Sequence, residues 1–304
     1  MPILWESQMK IRVGPDGVYF FDRQTGLNIL VDEIKTPSNF WANAPRQVSI
    51  ALTNACDLKC PYCYAPKYPA TLNLGNVVSW LTELDINGCV GVGFGGGEPT
   101  LYPHFVELCK HTKQNTNLAV TFTTHSHHLN EKFLSKLEGS ISFVRVSMDG
   151  VGSNYELLRG RAFPAFLSNL KLVKQLAPFG VNFVVNASTL SDLDEAVVLA
   201  SEAGAIEFLL LPEQPNRGTS GIDERTTHDL QHWVNKYKGG IPLRVSEIGA
   251  EGLPTCDPFV KETGLRAYAH IDAMGNIKRS SFDNVGVPIK REGVLEALGM
   301  LRSL

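Results

Sequence analysis

Between Gln47 and Tyr237 the chain alternates short apolar runs with longer segments of helical period, and no other feature narrows its fold as much. Strand-like runs fall at Val48–Leu52, Cys89–Phe94, Leu118–Thr123, Phe143–Ser147, Val181–Asn186 and Ile206–Leu211. Helix-like segments follow them at Leu74–Ile86, Phe105–Gln114, Glu131–Leu137, Phe163–Leu176, Asp192–Ala203 and Asp223–Tyr237. In one of these, Phe163, Phe166, Leu167, Leu170, Val173 and Leu176 share one broad face, the mark of an amphipathic helix. The strands read as near-continuous apolar runs, as parallel strands covered by helices do. Six β–α units in series call for an α/β fold with a parallel sheet and right-handed crossovers. In such sheets ligands gather at the carboxyl ends of the strands.

The flanking segments differ in kind. Lys10–Val13 and Val18–Phe21 bracket Gly14-Pro15-Asp16-Gly17, a strong turn signal, and Asn28–Val31 follows a second turn at Gln24-Thr25-Gly26. Residues 1–45 therefore read as a small N-terminal β unit that either covers the bottom of the main domain or guides a substrate to it. After the main domain, residues 46–238, comes a small α+β C-terminal extension, residues 239–304. It has a strand at Leu243–Val245, a hairpin of Ala267–Asp272 and Ile277–Ser281 about Gly275-Asn276, and a closing helix at Val294–Leu301.

A chain of 304 residues, 43% hydrophobic and 19% charged, has the composition of an ordinary globular protein with a sizeable core. Its net charge of −3 gives no sign of a polyanion-binding surface, so nucleic acid is not expected as a partner. No apolar run approaches the ~20 residues that span a bilayer, and MPILWESQMK has no signal-peptide pattern. Six cysteines in a chain this long do not make a disulfide scaffold, and three clustered as metal ligands argue for a reducing cytoplasm.

Those three lie in TNACDLKCPYCYAP, Thr53 to Pro66, directly after the first strand-like run. Cys56, Cys60 and Cys63 are spaced C-x3-C-x2-C. Three thiols in eight residues cannot pair off evenly as disulfides, and the spacing favours convergence on one metal centre. A cubane iron–sulfur cluster normally takes four thiolates; with three, one iron keeps an open position, the condition for chemistry rather than structure. A structural zinc loop is the alternative. It needs a fourth ligand, and the next cysteine, Cys89, lies in a predicted buried strand.

The string, with aromatic Tyr62 before its last cysteine, resembles the signature of the radical S-adenosylmethionine (radical SAM) enzymes. The resemblance implies a [4Fe-4S] cluster on Cys56, Cys60 and Cys63. Its fourth iron would chelate the amino and carboxylate groups of S-adenosylmethionine, and one electron would cleave the sulfonium to methionine and a 5′-deoxyadenosyl radical. It also implies a (β/α)6 partial TIM barrel, the count of units read above.

The strand ends supply further matches. Gly96, Gly97, Glu98 and Pro99 are similar to the family's GGEP motif, which binds the methionyl amino group. Glycines let backbone approach a ligand closely, and a carboxylate beside them can accept from an ammonium. Thr123 ends the third strand. Ser147 and Asp149 resemble the S-x-D-G stretch at the fourth, where they would bond ribose hydroxyls or the carboxylate. Asp149 can instead start an Asp-Gly turn. Arg159 or Arg161, in LLRGRAF, would pair with the carboxylate of S-adenosylmethionine, or lie on a helix surface. Asn186 and Leu211 are adenine-side candidates. His125, His127 and His128 read as a solvated loop at the mouth, with no carboxylate or thiol spaced to complete a second metal site.

The segment from Cys256 to Phe282 resembles the start of the SPASM or twitch extensions of radical SAM enzymes, where a cysteine precedes G-x4-C. Here Gly275 is followed after four residues by Ser280, so the fold of the extension is expected without its auxiliary cluster. Cys256 is then either a relic of the lost ligand set or a small buried residue, or else a hydrogen-atom donor that quenches a substrate radical; Cys89 and Cys109 read as core. The resemblance implies a flavodoxin- or ferredoxin-type electron donor. It also implies a ribosomally made peptide as substrate, modified by cross-linking or epimerisation, with a small metabolite such as a sugar, nucleotide or amino acid as the alternative. A non-catalytic iron–sulfur or zinc protein would need no site for an amino acid, which the glycine–glutamate motif supplies.

Overall fold

The computed structural model describes residues 9–216 and 218–304; most of the N-terminal stretch read for a signal pattern lies outside them. Strands β1 (Met9–Gly14), β2 (Gly17–Asp22) and β3 (Asn28–Val31) form a separate antiparallel meander. The tight turn between β1 and β2 needs glycine at its end. Gly17 has φ +128°, and a Cβ there would sit 2.2 Å from the Val31 carbonyl oxygen.

The main unit begins with β4 (Gln47–Thr53), α1 (Leu74–Ile86), β5 (Gly91–Gly96) and α2 (Phe105–Asn115). It continues with β6 (Ala119–Thr124), α3 (Glu131–Leu137), β7 (Phe143–Ser147), α4 (Gly152–Arg159) and α5 (Phe163–Leu176). Then come β8 (Phe179–Val185), α6 (Leu193–Ala203), β9 (Glu207–Pro212) and α7 (Glu224–Lys236). Beyond it lie β10 (Leu243–Val245), β11 (Tyr268–Ile271), β12 (Asn276–Lys278), β13 (Val287–Pro288) and α8 (Val294–Arg302). Strands β4 to β9 pair in parallel and in sequence order, which gives the partial barrel. Its sheet is open, and the C-terminal strands extend it at both edges: β10 joins β9, while β11 joins β4 in parallel and leads to β12 and β13.

The strands are covered by helices on one face only. Val48, Ile50 and Leu52 of β4, Val92 and Phe94 of β5, Val120 and Phe122 of β6, and Val144 and Val146 of β7 are buried in the core. The alternate residues, among them Ser49, Gly93, Gly95, Thr121, Thr123, Arg145 and Ser147, are half-buried on the inner face. For β4 to β7 the near-continuous apolar reading is corrected accordingly: their inner faces carry small or polar residues, whereas β8 is buried at six of its seven positions. Phe105 packs edge-on against Phe122 with ring centroids 5.2 Å apart, and Tyr155 lies 4.7 Å from Phe166. Full burial of rings of this size stabilises by about 1.5–3 kcal/mol each.

Several side chains tie the meander to the bottom of the barrel, among them Lys10 on Asp85, Arg23 on the Thr116 carbonyl and, buried most deeply, Arg12. Arg12, 2% exposed, donates to the carbonyls of Ala44 (3.0 Å), Gly88 (2.7 Å) and Arg266 (3.1 Å), which precede β4, β5 and β11, and pairs with buried Glu262. Of the two roles weighed for the N-terminal unit, this contact fits a cover at the N-terminal ends of the strands.

Candidate active site

At the opposite, carboxyl ends of the strands, the chain leaves β4 at Thr53 and enters the cysteine loop, whose start is laid against the end of β5. Gly97 donates to the Thr53 carbonyl at 2.7 Å and Glu98 N to the Ala55 carbonyl at 2.8 Å. This close approach of two backbones requires glycine at positions 96 and 97. A Cβ on Gly96 (φ +122°) would sit 2.2 Å from the Thr53 oxygen, and one on Gly97 2.2 Å from the Ala55 oxygen. Gly95 is the open member of the run, with nothing within 4 Å of where its Cβ would be.

Cys56, Cys60 and Cys63 are free and half-buried. The Cys63 amide closes a turn onto the Cys60 carbonyl at 3.2 Å. Two donors address the sulfurs: Leu58 N lies 3.4 Å from Cys56 Sγ, and Arg159 Nη1 lies 3.6 Å from Cys60 Sγ. Burial pushes the Cys56 and Cys60 thiols up, and Cys63 adds to both shifts. A metal centre would reverse that by binding them as thiolates. Three unpaired thiols on one loop with N–H donors on two of the sulfurs fit a sulfur-ligated cluster by their donor chemistry.

The other predicted residues sort into two groups. Glu98, 1% exposed, caps the short turn Pro99–Leu101 and accepts from Thr100 N (3.2 Å) and Oγ1 (2.7 Å), Thr124 Oγ1 (2.8 Å) and His125 N (3.0 Å). It joins β5 to β6, and these donors occupy most of its lone pairs. Asp149 is likewise spent inside the protein. Its Oδ1 takes Val184 N at 2.7 Å, and its Oδ2 takes Tyr62 OH at 2.7 Å as well as Arg159 Nη2. Tyr62 is held as a neutral donor, its phenol pushed up by burial and then by Asp149. Asp149 thus anchors the cysteine loop, β8 and the end of α4 to one another. Asn186 turns its side-chain oxygen to Ser188 and Thr189 and its amide to Glu213 (2.7 Å), and so shapes its own loop. Half-buried Thr123, Ser147 and Leu211 share the inner face with Gly95.

Between the two arginines the structure distinguishes clearly. Arg159 is committed to Asp149 and Cys60, with its side chain 9% exposed. Arg161, 41% exposed, reaches Asp57 at 2.7 Å. Cys256 is exposed and is not drawn into this group; the residues after it dock at the other end of the strands, Phe259 against Tyr19 and Glu262 on Arg12.

The histidine segment needs correction. His125 is 4% exposed, not solvated. Its Nδ1 accepts from His127 N (3.1 Å), so Nε2 carries the proton and donates to Asp57 Oδ1 at 2.9 Å. His128 Nε2 lies 3.2 Å from the same oxygen, and His127 Nε2 meets Tyr155 OH at 2.9 Å. A carboxylate and a thiol do converge here: ligand atoms of Cys56, Asp57 and His125 lie within 4.8 Å of one another. Burial pushes the Asp57 carboxyl up, but Arg161, His128 and His125 outweigh it and hold it below the usual range. Asp57 thus clasps the cysteine loop to the ends of β6 and α4. Sequence reading missed it because its partners are distant in the chain; an acidic residue inside the cysteine spacing was the only signal.

A second polar group on the inner face joins β4 to β11: Ser49 Oγ lies 2.5 Å from Tyr268 OH and 2.7 Å from His270 Nδ1. Burial pushes His270 down to about 4, against the pull of Asp272.

Residues 50–200, the span that holds all of the carboxyl-end groups from the thiol loop to Asn186, match the Radical SAM superfamily. The chain belongs to that superfamily. Among radical SAM relatives, the sporulation killing factor maturation protein SkfB of Bacillus subtilis is 30% identical over 275 residues, 81% of this chain and 66% of SkfB. The mycofactocin maturase MftC of Mycobacterium ulcerans is 28% identical over 192 residues, 60% of this chain and 51% of MftC. The chain thus spans about two thirds or less of the length of these curated relatives. Streptococcus suis SuiB, solved with S-adenosylmethionine, superposes with a TM-score of 0.76 at 14% identity, covering 98% of this chain and 90% of SuiB. That likeness confirms the radical SAM fold, open partial barrel included. Members of the superfamily use a [4Fe-4S] cluster and S-adenosylmethionine.

Proposed function

We propose that this chain is a radical SAM enzyme that modifies a ribosomally made peptide, by cross-linking or epimerisation. One observation carries the catalytic half: three free, half-buried thiols share a loop at the mouth of a barrel whose inner face, at Gly95, Thr123 and Ser147, is polar and open. Cys56, Cys60 and Cys63 would hold the cluster. A cluster held there would supply the electron for reductive cleavage of S-adenosylmethionine, the chemistry by which hydrogen could be taken from an unactivated carbon. The chain's own residues bind and orient. Gly95 leaves room beside the loop, Thr123 and Ser147 offer hydroxyls, and Arg161 is the arginine with exposed surface for a carboxylate. Asp57, Glu98 and Asp149 hold the three loops in register.

The peptide half is supported by the relatives, a maturation protein for a sporulation killing factor foremost. A flavodoxin- or ferredoxin-type protein in the cytoplasm is the proposed electron donor. Among the described residues no helix is long and apolar enough to cross a membrane. With one cysteine, Cys256, the extension is read as twitch-like without an auxiliary cluster. A hydrogen-atom-donor role for Cys256 requires that its exposed segment close over the mouth. Replacement by alanine should then leave deoxyadenosine formation intact and divert the product.

The test is anaerobic reconstitution with iron and sulfide, followed by dithionite and S-adenosylmethionine. Release of 5′-deoxyadenosine is the expected result, and its yield should rise when a short precursor peptide, sought among the neighbouring reading frames, is added. Zinc in the purified protein, or no deoxyadenosine, would refute the proposal. Turnover of a metabolite without the peptide would replace its substrate half.

A further inference from the structure

We infer that Arg159 sets the reduction potential of the cluster on Cys56, Cys60 and Cys63, as the donor to the Cys60 sulfur; the inference rests on the cluster reading above. Arg159 is the last residue of α4, which stops at Gly160 in the left-handed region (φ 65°). Its guanidinium is gripped at one end by Asp149 and presents Nη1 to Cys60 Sγ at 3.6 Å. The grip is itself fixed. Asp149, 1% exposed, is held by the β8 backbone at Val184 and by Tyr62 OH, which belongs to the cysteine loop. The cation cannot leave the sulfur without breaking a buried pair, and with its side chain 9% exposed solvent screens it little.

The electrostatics give the direction. Reduction adds a negative charge to the cluster and its thiolates. A cation that donates a hydrogen bond to a ligand sulfur favours that state, and so raises the potential. The Asp149 carboxylate opposes it, but it is bonded to the far nitrogen, Nη2, while Nη1 faces the sulfur. Arg159 is thus a tuning residue, acting on the ease of electron entry.

The test compares wild-type protein with Arg159→Met and Arg159→Lys, reconstituted anaerobically and matched for iron and sulfide content. Each is poised against redox dyes and the reduced cluster counted by electron paramagnetic resonance. Arg159→Met should show a reduced-to-oxidised ratio about tenfold lower at fixed potential, equivalent to about 59 mV for a one-electron couple. Arg159→Lys should fall between the two. An unchanged ratio in both variants with intact clusters would overturn the inference and leave the cluster reading standing. Failure of wild type to take up iron and sulfide would instead sink the cluster reading itself. Should the variants not load, wild-type protein grown on 15N-arginine decides the matter. A 15N coupling to the reduced cluster by pulsed resonance is expected, and its absence would overturn the assignment.

Discussion

The glycine run after β5 offers a sharp perturbation, because two of its members predict opposite outcomes for the same added methyl. In Gly97→Ala the new Cβ would lie 2.2 Å from the Ala55 oxygen, 2.6 Å from the Ala55 carbonyl carbon and 2.7 Å from the Asn54 oxygen. All three atoms are backbone of the cysteine loop, so no rotamer can give way. To reach even 3.0 Å the loop must retreat by about 0.8 Å, which stretches Gly97 N to Thr53 O and Glu98 N to Ala55 O, now 2.7 and 2.8 Å. Losing two hydrogen bonds costs about 1–3 kcal/mol, and the overpacking costs a similar amount. The expected loss is therefore about 2–6 kcal/mol, with poor cluster uptake because the displaced segment leads straight into Cys56. Gly95→Ala adds the same methyl where nothing lies within 4 Å. It should leave stability unchanged or raise it by about 0.4–1 kcal/mol through the unfolded chain, while narrowing the inner face. Urea unfolding, iron content after reconstitution and equilibrium dialysis with labelled S-adenosylmethionine read the three effects. Gly97→Ala should fail in the first two, and Gly95→Ala should weaken only the third. Equal melting and full iron in Gly97→Ala, or a Gly95→Ala protein as unstable as its neighbour, would refute the reasoning.

Replacing Cys60 by alanine should abolish iron retention, whereas Cys109→Ala, in the core, should leave iron content at the wild-type level. Arg12→Ala leaves buried Glu262 with Arg46 as its remaining cation at 3.0 Å but frees three carbonyls, and at about 1–3 kcal/mol for each buried group left unmet it should destabilise the fold by about 3–5 kcal/mol in denaturant titration. Those variants that stay folded should keep a wild-type cluster spectrum, since Arg12 sits at the far end of the strands. The His270 imidazole is held down to about 4 against an ordinary 6.5, so the unfolded chain binds its proton first as pH falls. Stability should therefore drop by about 1.5 kcal/mol between pH 6.5 and 5 from this group. His270→Asn should flatten that part of the stability curve by the same amount; an unaltered slope would remove His270 as its source.

Much of the fold was legible locally. The helices Leu74–Ile86, Glu131–Leu137 and Phe163–Leu176 and the strand Phe143–Ser147 appear with the bounds their patterns indicate. Helix α4 was missed because it is short, opens with Gly-Ser-Asn and buries one side chain, Tyr155, which leaves no period to detect. The inner face was misread although Val-Thr-Phe-Thr and Val-Arg-Val-Ser alternate plainly; parallel strands were assumed to be covered on both sides. At the site, spacing within one loop announced the thiols, but the roles of Glu98, Asp149 and Asp57 depend on partners in other loops. Asp57 and His125 are 68 positions apart, and no local pattern reports such a contact. The same limit hid the pairing of β11 with β4.

That pairing bears on the order of events during assembly. The strand that launches the thiol loop gains its second neighbour from Tyr268–Ile271, so on the ribosome it remains a bare flank until that late segment has emerged and folded back. Iron loading before then would meet a loop whose floor is fixed on one side. Maturation of the metal centre thus belongs after synthesis, and a protein shortened ahead of Tyr268 would trade its catalytic seat for a sticky seam that invites aggregation.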